Sequence, residues 1–166
     1  MTRSRTLRRS RVTCDGAFRN TASTERIHVV PVVLIVDDYP DTCDMYAAYL
    51  DLAGFRSLKA NDGYEALRVA VEGRPDVILM DLGLPGIDGY EVTRRLKGDL
   101  RTRHIPVIAL TAHATPQQFD QLVASGFDDL ILKPCLPDAL AEEVERFIKR
   151  NRGDDATARM SSTTAA

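Results

Sequence analysis

At 166 residues, 44% apolar and 28% charged, the chain has the size and balance of one soluble globular domain rather than two. A net charge of −2 gives no overall basic field for nucleic acid, and the longest apolar run, residues 29–36, contains Pro31 and falls far short of the ~20 residues of a membrane helix. Cys14, Cys43 and Cys135 are too few and too scattered for a disulfide framework or a cysteine zinc site, so a reduced, cytoplasmic setting is expected.

The first 26 residues hold seven arginines against Asp15 and Glu25, a net of +5, so the other 140 residues carry −7. With eight Ser or Thr and almost no apolar periodicity, residues 1–31 are expected to form a disordered basic tail. Four readings of it stay open: an arm for nucleic acid or anionic lipid, a transit peptide, an upstream start, and a solvated tail without a role. The last is favoured. No apolar stretch of secretory length follows the arginines, so a signal peptide is not expected.

Val32 to Val36 is a β-branched run ending at Asp37, the pattern of a strand buried on both faces. Asp41 to Ala53 reads as an amphipathic helix with Met45, Tyr49 and Leu52 on its apolar face and Gly54 as its stop. Phe55 to Ala60 is a weaker strand. Asn61-Asp62-Gly63 then turns the chain into a helix over Tyr64 to Glu72, striped by Ala66, Leu67, Ala70 and Val71. Val77 to Met80 predicts a third strand that ends at Asp81, followed by a Gly/Pro loop from Leu82 to Asp88 and a helix over Gly89 to Lys97. Ile105 to Leu110 predicts the fourth strand, with Pro106 at its start, where a lost donor is tolerated. Thr115-Pro116 opens a helix whose apolar face is expected to be Phe119, Leu122 and Val123. Leu130 to Leu132 is a short fifth strand ending at Lys133, and Pro137 to Arg150 is the last helix, with Leu140, Val144, Phe147 and Ile148 inward.

Five strands alternating with five helices predict an α/β fold: a doubly wound parallel sheet with right-handed crossovers and helices on both faces. The folded domain is expected over residues 32–150, with residues 151–166 a second disordered tail.

In such a sheet, ligands bind beyond the carboxyl ends of the strands. Those ends deliver Asp37 and Asp38, Asp81, Thr111 and Lys133 from four different strands. Three neighbouring carboxylates need a cation or protons, and hard oxygen ligands suit Mg²⁺, which joins one or two carboxylates to a phosphoryl group. Asp81 is the natural phosphoryl acceptor, with Lys133 and the metal neutralising the group and Thr111 donating to one of its oxygens. Singly, each residue is as well explained as a turn former, a cap or a solvated charge. Together, at matching strand ends, they are not. His28, His104 and His113 lack metal-ligand spacing, the cysteines read as small buried fillers, and no nucleotide-binding or nucleophile-elbow motif is present.

The segments Val36-Asp37-Asp38, Met80 to Gly89, Ala109-Leu110-Thr111-Ala112 and Lys133-Pro134 resemble those of the receiver domain of bacterial two-component response regulators, over about residues 32–150. The resemblance implies a flavodoxin-like sheet of order 2-1-3-4-5 and phosphorylation of Asp81 by a sensor histidine kinase or a histidine phosphotransfer protein. It also implies a Mg²⁺ site made by Asp38, Asp81 and the Gly83 carbonyl, with Asp37 acting through water. Thr111 would sense the phosphoryl group, Lys133 would precede a cis peptide, and a downstream protein would dock on the fourth helix, fifth strand and fifth helix. Two departures stand out. Leu130 occupies the usual aromatic switch position, and Cys135 replaces the usual Phe after Lys-Pro. Gly83 and His113 occupy the two variable positions that tune phosphoryl lifetime in the family.

The expected function is a single-domain receiver switched by phosphorylation, not an enzyme beyond its own phosphorylation and dephosphorylation, with no membrane or nucleic-acid partner. The flanks, 31 and 16 residues long, are too short for an output domain. The rivals are a phosphotransfer intermediate, a DNA-binding regulator using the arginine-rich arm, and a Mg²⁺-dependent phosphatase, which would need an acid where Gly83 stands.

Overall fold

Each strand is short, the central ones are apolar, and each leads into a helix that carries the chain back to the starting edge of the sheet. The structure, a computed structural model, describes residues 30–151 apart from residue 114. The two expected tails, with Cys14 and His28, lie outside the described residues, save for the few that adjoin the domain. In chain order the elements are β1 (Val32–Val36), α1 (Pro40–Leu52), β2 (Arg56–Ala60), α2 (Gly63–Gly73), β3 (Val77–Asp81), α3 (Gly89–Gly98), β4 (Val107–Thr111), α4 (Pro116–Ser125), β5 (Asp129–Leu132) and α5 (Pro137–Asn151). No helix among the described residues is long and apolar enough to cross a membrane.

The strands form one parallel sheet of order β2-β1-β3-β4-β5, as the resemblance implies. Successive residues of a strand enter opposite layers, because side chains alternate across a sheet. Val33 and Ile35 of β1 and Leu79 of β3 join Cys43, Tyr46, Leu50, Leu140, Val144 and Phe147 of α1 and α5. Leu34, Val36, Ile78 and Met80 join Ala66, Ala70, Val92 and Leu96 of α2 and α3 on the other face. Val36 lies level with Met80, so Asp37 and Asp81 leave the sheet at the same edge. Thr111 lies level with Leu132, which brings Lys133 to that edge too.

The helix entries follow the sequence. Asp62 and Asp88 cap α2 and α3 through their side chains, and Thr115 with Gln118 forms a reciprocal capping box at α4. β4 begins at Val107 rather than Ile105, since Pro106 contributes only its carbonyl, to Ile78 N–H.

Two helix faces differ from expectation. α1 buries Cys43, Tyr46, Ala47 and Leu50, while Met45, Tyr49 and Leu52 are exposed, Leu52 at 85%. Both sets have helical spacing, and the set with the smaller side chains is the one laid against the sheet. α4 buries only Leu122 and Ser125; Phe119 and Val123 are 53% and 61% exposed. α4 packs mainly beside α3 rather than flat on the sheet, so one edge of the helix is covered and the rest is left open.

Candidate functional site

The carboxyl edge of β1, β3 and β5 opens into a cavity of about 580 Å³ lined by Asp37, Asp38, Asp81, Gly83, Lys133 and, from α1, Tyr46 among others. Lys133 stands between two carboxylates, its ammonium donating to Asp37 Oδ2 at 2.7 Å and to Asp81 Oδ1 at 2.6 Å. Burial works against the ammonium, but its bonds to Asp37 and Asp81 outweigh that and raise its pKa above the ordinary 10.5. The bridge is sheltered: Asp37 is 1% exposed. The peptide from Lys133 to Pro134 is cis, as the resemblance implies.

Each carboxylate is also held from its own loop. Tyr39 N–H donates to Asp37 Oδ1 at 3.0 Å, and Gly83 N–H donates to Asp81 Oδ2 at 2.7 Å. The corner after β1 is pinned from beneath. Cys43 Sγ and Asn61 Nδ2 both donate to the Asp37 carbonyl, at 3.5 and 3.2 Å. Burial, then the charge of Asp37, push the Cys43 thiol up to about 11, so it is a neutral filler. Gly89 packs against the carbonyl of Asp81 so closely that a Cβ there would overlap it and crowd Leu82 Cα. Gly86, in the intervening turn, has φ +80°, a conformation that favours glycine.

Thr111 is at the edge, but its hydroxyl is directed locally, donating to His113 O at 2.8 Å and accepting from His113 N–H at 3.3 Å. Leu130 is half-buried on β5, opposite Ala109. Asp38 is half-buried at the cavity and has no hydrogen bond or ion pair among the described residues. Among those residues no three acidic, His or Cys side chains converge as a ready cage. Mg²⁺ keeps several waters and takes one or two carboxylates. The unpaired Asp38, the Asp81 carboxylate and the Gly83 carbonyl are hard oxygen donors of the right chemistry. His104 and His113 are exposed and apart from any such set.

Sequence reading therefore named the edge residues, and the structure brings Asp37, Asp81 and Lys133 into direct contact. It missed Asn61, Gly89's packing role and Tyr46. Asn61 was legible only as a turn residue, and Tyr46 was hidden by the misassigned face of α1.

The response regulator receiver domain family matches residues 33–145 of the chain. The DNA-binding dual master transcriptional regulator RpaA of Synechocystis is 38% identical over 121 residues, 73% of this chain and 50% of that protein. The phosphate regulon transcriptional regulatory protein PhoB of Pseudomonas aeruginosa is 39% identical over 76% of this chain, which spans 55% of it. The polar-differentiation response regulator DivK of Brucella anthropi is 36% identical over 116 residues, 70% of this chain and 94% of that protein. Among solved structures, chemotaxis protein CheY4 of Vibrio cholerae superposes with a TM-score of 0.68 at 30% identity, covering 70% of this chain and 98% of that one. The receiver domain of sensor histidine kinase PA1611 from Pseudomonas aeruginosa, which holds a magnesium ion in its active-site cleft, gives 0.64 at 34% identity, covering 73% and 96%. With this match over most of its folded part, and with the strand order and edge residues in place, the chain belongs to the response regulator receiver domain family.

Proposed function

We propose that the chain is a phosphorylation-switched signalling module of the cytoplasm that takes a phosphoryl group on Asp81 from a phosphohistidine donor and signals by protein contact. The observation that carries this is the Asp37–Lys133–Asp81 bridge at the mouth of the cavity. With the unpaired Asp38 on the same cavity, it supports a carboxylate nucleophile and a fixed cation facing one space large enough for a phosphoryl group.

Mg²⁺, bound by Asp38, Asp81 and the Gly83 carbonyl with Asp37 acting through water, would neutralise negative charge on the incoming group. The chain's own residues do the rest. One oxygen of Asp81 is the nucleophile, held by Gly83 N–H at the end of a buried strand. Lys133 keeps its anchor on Asp37 and turns from the Asp81 oxygen to the phosphoryl oxygens. Thr111 exchanges its bond to His113 O for one to the phosphoryl group, which frees the loop after β4.

Two exposed apolar surfaces suit the two partners. Tyr39 and Met45 line the cavity, and Met45, Tyr49 and Leu52 continue outward along α1 at helical spacing. A helical histidine kinase or phosphotransfer protein laid on that stripe would present its phosphohistidine to Asp81. On the other side, Phe119, Val123 and Leu132 leave α4 and β5 open for a downstream protein. RpaA and PhoB are named as transcriptional regulators, but the match spans about half of each, whereas it spans 94% of DivK.

The test is labelling with acetyl phosphate or a phosphorylated kinase. Wild type should gain one Mg²⁺-dependent phosphoryl group that chelation prevents, and Asp81→Asn should gain none. Undiminished labelling of Asp81→Asn removes Asp81 as the acceptor.

A further inference from the structure

Tyr46 has no task in the chemistry above, yet it stands in the wall of the same cavity. Its ring belongs to the core between α1 and α5, and the residue is only 3% exposed. A phenol hydroxyl buried to this degree ordinarily has a partner. No described residue supplies one. Nor is the oxygen sealed in, since the fully enclosed, unpartnered side-chain oxygen among the described residues is Thr93 Oγ1 on α3. The Tyr46 hydroxyl is therefore not fully enclosed, and the open space its residue lines is this cavity. Burial raises its pKa, Lys133 pulls it back, and Cys135, Asp37 and Asp81 push it up, so the charges around it are those of the phosphoacceptor end.

Lys133 has a matching need. An ammonium carries three N–H donors. Two are taken by Asp37 and Asp81, and the third meets no acceptor among the described residues. A phenylalanine would fill the core position as well, so packing alone does not account for the oxygen at the cavity wall.

We propose that Tyr46 is a positioning residue for Lys133: its hydroxyl takes the third N–H through a cavity water and steers the ammonium onto the phosphoryl oxygens. The inference rests on the reading of Asp81 as the phosphoacceptor. When Asp81 is modified, Lys133 gives up an Asp81 oxygen and keeps two fixed points, Asp37 and Tyr46. Without the hydroxyl the ammonium pivots on Asp37 alone.

The experiment compares the full chain and its Tyr46→Phe variant, both carrying Tyr39→Phe so that the exposed tyrosine on the same cavity is silent. Loss of one hydrogen bond to a charged group should slow Mg²⁺-dependent labelling by acetyl phosphate about threefold to tenfold, with the urea midpoint little changed. The chain contains no Trp, so its near-ultraviolet band reports tyrosine. Loading with Mg²⁺ and beryllium trifluoride should shift that band when Tyr46 is present, and the shift should vanish in Tyr46→Phe. Equal labelling rates and equal spectra overturn the proposal and leave the phosphoacceptor reading standing. A slower rate without the spectral shift assigns Tyr46 to packing and also overturns it. Should Tyr46→Phe fail to fold, the chain that retains Tyr46 decides alone, an unmoved tyrosine band being the negative result. Absence of any labelling of the chain that retains Tyr46 overturns the phosphoacceptor reading and this proposal with it.

Discussion

β1 and β3, which carry Asp37 and Asp81, are sealed into the core, whereas β5, which leads to Lys133, has no fully buried residue. The helices repeat the contrast: α1 lays four residues into the core, and α4 lays two. The proposed acceptor Asp81 thus ends a deeply buried strand, while Leu130 and Lys133 sit on the thinly packed side and Thr111 ends the buried β4 between them. Close-packed interiors resist small displacements, so a fixed acceptor and a yielding readout call for this division.

The most direct way to break the comparison is to cut the same side chain on both sides. Leu79→Ala in β3 should cost ~2–5 kcal/mol, because the buried site cannot collapse around the lost atoms. Leu132→Ala in β5, where half the side chain already meets solvent, should cost under ~1 kcal/mol. Urea midpoints at unchanged slope measure both, and equal losses would abolish the stiff–soft distinction.

The next effect belongs to the stiff side and depends on pH. Cys43 is 1% exposed beneath Asp37, and its pKa rises from the usual 9.0 to about 11 on folding. Below 9 the thiol is protonated in both folded and unfolded chains, so its contribution is fully present. Above 9 the unfolded chain ionises first, and ~2–3 kcal/mol of stability should be lost as pH climbs towards the folded value. Lys133 and Tyr46 have raised values as well and act in the same direction at higher pH. Cys43→Ala should therefore flatten the lower part of the decline, and an unchanged profile in that variant would show that the thiol titrates freely.

Gly89→Ala tests whether the proposed acceptor, Asp81, is held by packing. The added Cβ would meet the Asp81 carbonyl and Leu82 Cα, which are backbone and cannot turn aside. Overpacking of this kind costs ~1–3 kcal/mol, and the displaced carboxylate should be labelled more slowly. A variant as stable and as readily labelled as wild type would show that the loop gives way.

What the sequence showed and what it hid follow the same division. The strands of the stiff side announce themselves as unbroken apolar runs ending in Asp37 and Asp81, and the capping residue Thr115 marks its helix to the residue. Convergence of Asp37, Asp81 and Lys133 was legible because topology alone carries strand ends to one edge. The helix faces were not. In α1, Met45, Tyr49 and Leu52 and the set Cys43, Tyr46, Ala47 and Leu50 both have helical spacing, and only packing shows that the set with the small Cys43 and Ala47 lies against the sheet. In α4, nothing local shows that the helix packs beside α3 rather than flat on the sheet. Hydrogen-bond direction was also invisible: the type and position of Thr111 suggest a phosphoryl ligand, while the hydroxyl is tied to His113.

That tie bears on the smallest expected effect, the route by which the signal leaves. If Thr111 turns to a phosphoryl oxygen, it releases the His113 carbonyl and withdraws from the space between β4 and β5. Leu130 lies opposite Ala109, whose small side chain leaves room for a change of rotamer. Lacking a ring or a hydroxyl, Leu130 can fill only a methyl-sized gap, worth on the order of 1 kcal/mol. A coupling of that size shifts a two-state equilibrium about fivefold to tenfold, so the readout should be graded, with the docking partner supplying the rest. The rival route runs through the freed loop after Thr111 and needs nothing of Leu130. Affinity of a downstream partner, measured with and without phosphorylation, separates the two. Leu130→Ala should shrink the phosphorylation-dependent gain towards unity, and Leu130→Tyr should enlarge it, since a ring fills more of the vacated space. Thr111→Val should remove the gain on either route, because both begin at its hydroxyl. Equal gains in wild type, Leu130→Ala and Leu130→Tyr would assign the signal to the loop alone.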